Sequence, residues 1–278
     1  MTSSPPGPSV TPLGPSVASQ ASSVAPQSQG FSLEGRTALV TGARRGIGAA
    51  IAAGFAAAGA DLILMARDAA LEDTLEAIKQ SGGREATVIT ADFADPAAVE
   101  AAATEIANSR TIDILVNNAG TIRRAPAAST SPADWHHVID VNLNSTWAVT
   151  RPVGAAMVSR GEGKIITIAS LLSFQGGITV PAYTASKHAV AGLTKALANE
   201  WGPSGVQVNA IAPGYISTDN TTDLRADPER EAAIRDRIPA GRWGRPEDLV
   251  GAAVFLASAA SAYVNGHVLA VDGGWLAR

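Results

Sequence analysis

The sequence predicts one doubly wound α/β domain over residues 31–278, a parallel sheet with helices on both faces, and three observations predict it. Short β-branched and aliphatic runs alternate with Ala-rich stretches of helical length. The strand-like runs are apolar at successive residues rather than at every second one, as a strand covered on both faces requires. A glycine-rich turn joins the first strand to the first helix.

In chain order the predicted elements are strand 37–41, helix 47–58, strand 61–66, helix 69–81, strand 86–90, helix 96–108 and strand 112–117. Further on come strand 164–169, helix 182–201 and strand 206–212. Helices between consecutive strands are the mark of a Rossmann-type parallel sheet. Ile47, Ile51 and Phe55 recur every four residues, giving the first helix one buried stripe. Gly54 is expected to bring that helix close to the sheet, and Gly59 to end it.

With 278 residues, 46% of them hydrophobic, the chain can bury a large core. A net charge of −4 gives no basic footprint, so nucleic acid is not an expected partner. No cysteine is present, which excludes disulfides and thiolate chemistry. The four histidines, His136, His137, His188 and His267, include no i, i+4 pair, and no metal is expected. The most apolar run, 49–66, is cut by Asp61, and the N-terminus has no basic leader, so a cytoplasmic protein is expected. Residues 1–30 hold six Pro, eight Ser and no charge, and read as a disordered tail.

The turn Gly42-Ala-Arg-Arg-Gly46-Ile-Gly48 stands between a strand and a helix N-terminus. That arrangement lets bare backbone and helix N–H groups meet a pyrophosphate, so a dinucleotide site is expected. Asn117-Asn-Ala-Gly120 closes the fourth strand beside it. At the end of the second strand Ala66-Arg67 stands where NAD enzymes usually carry an acid, with Arg44 and Arg45 in the loop below. Three guanidiniums gathered at one spot favour the 2′-phosphate of NADP over NAD. Asp92, with Phe93 beside it, is the candidate for the adenine.

Tyr183 and Lys187 lie one helical turn apart, so they share a face. An ammonium beside a phenol favours the phenolate and makes it a usable base. Ser170 ends a strand on the side where open parallel sheets bind ligands, and its hydroxyl can hydrogen-bond a reacting oxygen. Asn142 is the candidate to hold a water that links Lys187 to solvent.

These residues resemble the short-chain dehydrogenase/reductase family: the turn 41–48, Asn117-Asn-Ala-Gly120, Asn142, Ser170, the Tyr183/Lys187 pair and Pro213-Gly214. The resemblance spans residues 31–278, and the thirteen-residue separation of Ser170 and Tyr183 is usual there. It implies that Tyr183 is the acid/base, that Lys187 tunes it and binds ribose, that Ser170 polarises the carbonyl, and that Asn142 completes a proton relay. It likewise implies cofactor contacts at Gly42, Gly46, Ile47, Gly48, Asn118, Ala119, Gly120, Pro213 and Gly214.

A narrower resemblance, in 117–124, 172–177, 211–215, 238–243 and 271–278, is to the 2-deoxy-D-gluconate 3-dehydrogenases, also called 2-dehydro-3-deoxy-D-gluconate 5-dehydrogenases, of pectin breakdown. It implies a sugar-acid alcohol or ketone as substrate, and a cofactor that is usually NAD. Arg123 or Arg124 then pairs with the carboxylate, Gln175 meets a hydroxyl, and Tyr215 lines the pocket. Residues 215–241 carry ten charges in twenty-seven positions and are expected to form a solvated lid. Family members are commonly tetramers, with the apolar ending 268–276 expected against a neighbour. Two other readings stay open: reduction of a 3-oxoacyl thioester or cyclic ketone, and a non-catalytic nucleotide sensor.

Overall fold

The computed structural model describes residues 30–83 and 85–278; the tail expected over 1–30 lies, apart from Gly30, outside the described residues. Seven strands form one parallel sheet: β1 (Thr37–Thr41), β2 (Asp61–Ala66), β3 (Thr87–Thr90), β4 (Ile114–Asn117), β5 (Gly163–Ile168), β6 (Val206–Pro213) and β7 (Val268–Val271). Their order is β3-β2-β1-β4-β5-β6-β7, so the winding reverses between β1 and β4. At that reversal the connections leave in opposite directions and open a crevice beyond the carboxyl ends of the strands.

Both faces of the sheet are buried, as the uninterrupted apolar runs require. Ala38, Val40, Leu62 and Leu64 pack one way, against α1 (Gly46–Ala57), α2 (Glu72–Gln80) and α9 (Val250–Ala257). Leu39, Ile63, Met65 and Leu115 pack the other way, against α3 (Pro96–Ser109), α5 (Ser145–Arg160) and α6 (Pro181–Trp201).

Three local expectations change. Gly54 permits a close approach to α9 rather than to the sheet: a Cβ there would lie 2.2 Å from Val250 Cγ1. The second helix starts at Glu72, not 69, because the Asp68 carboxylate accepts from Ala70 N at 3.2 Å and holds the backbone in a turn. The ending 268–276 is partly spent inside the chain, with β7 at the sheet edge and Trp275 buried against Leu171, Ile234 and Ile238.

Between β4 and β5 the sequence reading assigned no element, yet the chain forms α4 (Pro132–Ile139), a π-helical turn (Asp140–Asn144) and α5. The overlooked signal is Ser131-Pro132-Ala-Asp134, a helix start in which Ser131 Oγ accepts from Asp134 N at 3.0 Å. The lid folds as α7 (Thr222–Ala226) and α8 (Pro228–Arg237). No helix of the described residues is long and apolar enough to cross a membrane.

Candidate active site

At the carboxyl end of β1 the chain turns through Gly42 and Gly46, both at positive φ, 63° and 61°. Gly42 must be glycine for packing as well, since a Cβ would stand 2.8 Å from Ala119 Cα. Gly48 plays the same part against Asn118, whose side-chain nitrogen would lie 2.4 Å from an added Cβ. The turn is stapled to the loop after β4. Thr41 Oγ1 accepts from Asn118 N and Ala119 N at 3.0 and 3.1 Å, and Asn118 Nδ2 donates to the carbonyls of Thr41 and Gly42 at 3.0 Å each. Asn118 thus shapes the loop through its side chain.

Among the described residues no side chain caps the N–H groups of the first turn of α1. Those orphan donors face a cleft of about 410 Å³ bordered by Gly46, Ile47, Ala119 and Gly120, with Ser217, Thr218 and Asn220 of the lid on the far side. A cleft with uncapped helix donors on one wall and backbone glycines on the floor fits a dinucleotide pyrophosphate. The lid contacts were not foreseen, because no periodic signal links 217–220 to a turn so far upstream.

The three guanidiniums expected together do not gather. Arg44 donates to Asp68 at 2.9 Å and Arg67 lies 3.6 Å from the same carboxylate, but Arg45 reaches across the cleft to an ion pair with Asp219. Asp68 collects the first two because it follows Arg67 directly at the end of β2. Asp92 is exposed, its carboxylate holding Ala94 N at 3.0 Å, while Phe93 is buried and its carbonyl accepts from Ser145 Oγ at 2.7 Å.

Ser170, at the carboxyl end of β5, accepts from Leu172 N at 3.1 Å and hydrogen-bonds the phenol of Tyr183, on the first turn of α6. Lys187 follows one turn later, its Nζ 5.6 Å from the Tyr183 ring centre. That ammonium donates to the Ile168 carbonyl at 2.6 Å, and burial pulls it down to about 8. Burial also pushes the Tyr183 hydroxyl above its ordinary value, opposed by the Ser170 hydrogen bond and by the Arg124 guanidinium. The Arg124 guanidinium is thus a charge that eases this phenol, and the Lys187 ammonium keeps its own charge beside the ring while it donates to the Ile168 carbonyl.

Asn142 sits in the π-helical turn with its side chain buried and hydrogen-bonded on both sides. Its Oδ1 accepts from Thr121 N at 2.8 Å, and its Nδ2 donates to Thr121 O and Ser186 Oγ at 3.0 and 3.1 Å. Both amide hydrogens are thus used inside the protein, which makes the side chain a brace between the β4 loop and α6. A cavity of about 140 Å³, lined by Gly120, Ser170, Tyr183, Lys187, Pro213 and Gly214, joins this group to the dinucleotide cleft.

A second cavity of about 310 Å³ opens on the other side of Tyr183, bordered by Arg124, Ser170, Tyr215, Arg230 and Arg237. Arg123 is not among its walls: it turns to Asp134, 3.7 Å away. Gln175 is also absent from the lining, although Gly176 and Gly177 beside it are present. The sequence reading did not single out Arg230 and Arg237, whose only signal was their place in a charged segment.

A family model described as Enoyl-(Acyl carrier protein) reductase matches residues 42–276. The 2-dehydro-3-deoxy-D-gluconate 5-dehydrogenase of Bacillus subtilis (strain 168) is 59% identical over 248 residues, 89% of this chain and 97% of that protein. The protein of that name from Escherichia coli (strain K12) is 50% identical, covering 89% of this chain and 98% of its own. A crystal structure of a gluconate 5-dehydrogenase from Burkholderia cenocepacia J2315, in complex with NADP and tartrate, superposes with a TM-score of 0.84 at 42% identity over 90% of this chain and 99% of that one. With the glycine turn, the Ser170–Tyr183–Lys187 group and these relatives in agreement, the chain belongs to the short-chain dehydrogenase/reductase family of NAD(P)-dependent oxidoreductases.

Proposed function

We propose that this chain interconverts an alcohol and a ketone on a hexonate-type sugar acid, with NADP as the preferred cofactor. The single observation that carries the substrate class is the cationic cavity beside Tyr183, lined by Arg124, Arg230 and Arg237. Relatives named for 2-dehydro-3-deoxy-D-gluconate and gluconate support it, as does the tartrate, a dicarboxylate, in the Burkholderia structure. A thioester or cyclic ketone offers no carboxylate to three arginines, so the sugar-acid reading is favoured.

When bound, the nicotinamide supplies or takes the hydride. Tyr183 trades its hydroxyl proton with the substrate oxygen, and Ser170 holds that same oxygen by a hydrogen bond. The Arg124 guanidinium favours the phenolate, and buried Lys187 fixes the end of β5 through the Ile168 carbonyl while offering its remaining protons toward the cofactor ribose. Asn142 positions α6 through Ser186. Gly46, Ile47, Asn118, Ala119, Gly120, Pro213 and Gly214 border the cofactor, and Arg44 with Arg67, held around Asp68, reads the 2′-phosphate.

On the same reading residues 31–278 act as one dinucleotide-binding domain with 215–241 as lid, assembled into a homotetramer in the cytoplasm, where nicotinamide dinucleotides are recycled. The test is turnover by the full chain across sugar-acid ketones, 3-oxoacyl thioesters and cyclic ketones with NADPH and with NADH. We expect oxidation of NADPH with the sugar-acid ketones; turnover confined to thioesters or cyclic ketones would overturn the proposal.

A further inference from the structure

The lid carries its arginines unequally. Arg235 is neutralised by Glu231 at 2.9 Å, while Arg225 donates to the Thr218 carbonyl. Arg230 and Arg237, seven residues apart and so two turns along one face of α8, form no ion pair among the described residues, and both line the cavity. Arg237 lies 4.1 Å over the buried Trp275 ring, and that ring is 4.7 Å from the ring of Tyr215. The C-terminal Arg278 donates to the Asp236 and Arg237 carbonyls at 3.1 and 3.4 Å, pinning the end of the helix from outside. Two guanidiniums without counterions, one fixed by stacking on a rigid indole, make an anion site on the lid wall.

The opposite end of the cavity is the reacting end. Ser170 and Tyr183 stand there, and the smaller cavity that continues toward the cofactor cleft contains neither lid arginine. The charges divide the same way, with Arg124 acting on both Tyr183 and Tyr215 while Arg230 and Arg237 act on Tyr215 alone.

Building on the sugar-acid reading above, we infer that Arg230 and Arg237 of the lid helix bind the substrate carboxylate, so that the reacting carbon is one remote from the acid group. A hexonate seated this way presents a carbon toward its far end to Tyr183, as C5 is, whereas a carboxylate bound by Arg124 would present one close to the acid group, as C2 and C3 are. The anion also bridges α8 to the body of the enzyme, which couples lid position to the charge of the substrate.

The experiment uses the full chain with NADP, with D-gluconate as the anionic probe and D-glucitol as its neutral counterpart. Arg230→Gln and Arg237→Gln should each raise the KM for gluconate about tenfold and together about a hundredfold, with the loss carried by KM more than by kcat and larger for gluconate than for glucitol. Arg235→Gln, on the paired outer face, should change neither. Thermal shift reports binding directly: gluconate added to the NADP-loaded wild type should raise the Tm, and the double variant should lose that increment while its increment with NADP alone persists. The product from gluconate should carry its ketone at C5 by NMR. Unchanged gluconate KM in the double variant, or a ketone at C2 or C3, would overturn the inference while leaving the sugar-acid reading intact. Failure of the wild type on every sugar acid would instead remove the reading beneath it.

Discussion

Tyr183 stands between opposing influences: desolvation holds its proton on, while a hydroxyl and a guanidinium draw it off. Tyr183→Phe removes the exchangeable proton and leaves the packing in place, so kcat/KM should fall about 10²–10⁴-fold in steady-state assays with cofactor affinity retained. Lys187 gives a prediction in stability. Its folded value of about 8 lies below the ordinary 10.5, so the unfolded chain binds this proton more tightly. The cost is fully present below pH 8 and is relieved as pH rises toward 10.5. Lys187→Met has no such cost, so unfolding free energies of variant and wild type, followed by denaturant titration, should converge by about 3 kcal/mol over that window. At the adenine end, Arg67→Ala should cost NADPH about 1.5–3 kcal/mol in kcat/KM and leave NADH unchanged. Equal loss with both cofactors would show that Arg67 does not read the 2′-phosphate.

Among the elements, α1 has two close neighbours that dictate its residues. Among the described residues no side chain caps its N-terminus where it faces the cleft, and Gly54 lets Val250 of α9 sit against its backbone. Gly54→Ala should therefore destabilise the fold by about 1–3 kcal/mol in chemical denaturation, in spite of alanine's better helix propensity, because Val250 cannot withdraw from a packed interface. Adding Val250→Ala makes room for the new methyl. The double variant should lose at least about 1 kcal/mol less than the sum of the two single changes. The lid helices depend on distant partners instead, on Trp275 and Arg278 from the C-terminus and on Arg45 from the phosphate turn.

Across the whole molecule, the reversal of winding between β1 and β4 puts the glycine turn, the loop after β4 and the end of β5 on one rim. That rim is where backbone donors, Ser170 and Tyr183 converge, so one sheet edge serves both the cofactor cleft and the substrate cavity. The opposite flank ends in β7, whose outer edge pairs with no further strand among the described residues. A tetramer that covers this edge should sediment at four times the chain mass in analytical ultracentrifugation, and a charged substitution at exposed Ala270 should shift that mass downward with the fold kept, whereas one at Leu269 or Val271, which pack against the core, should destabilise the fold itself.

The amino-acid sequence by itself determined the doubly wound sheet, the phosphate turn and the Ser170–Tyr183–Lys187 group. Each of those is written in local terms: apolar runs, a strand-glycine-helix junction and a one-turn helical spacing. Only the tertiary structure decided where the charged side chains point. Arg45 leaves the expected cluster for Asp219, Arg123 leaves the pocket for Asp134, and Arg230 and Arg237 enter it because Trp275 and Arg278 hold α8 in place. A long, solvated arginine has many rotamers of similar energy and no periodic signature. Its direction is set by the partner that the fold brings within reach, and that partner lies far along the chain or on another element.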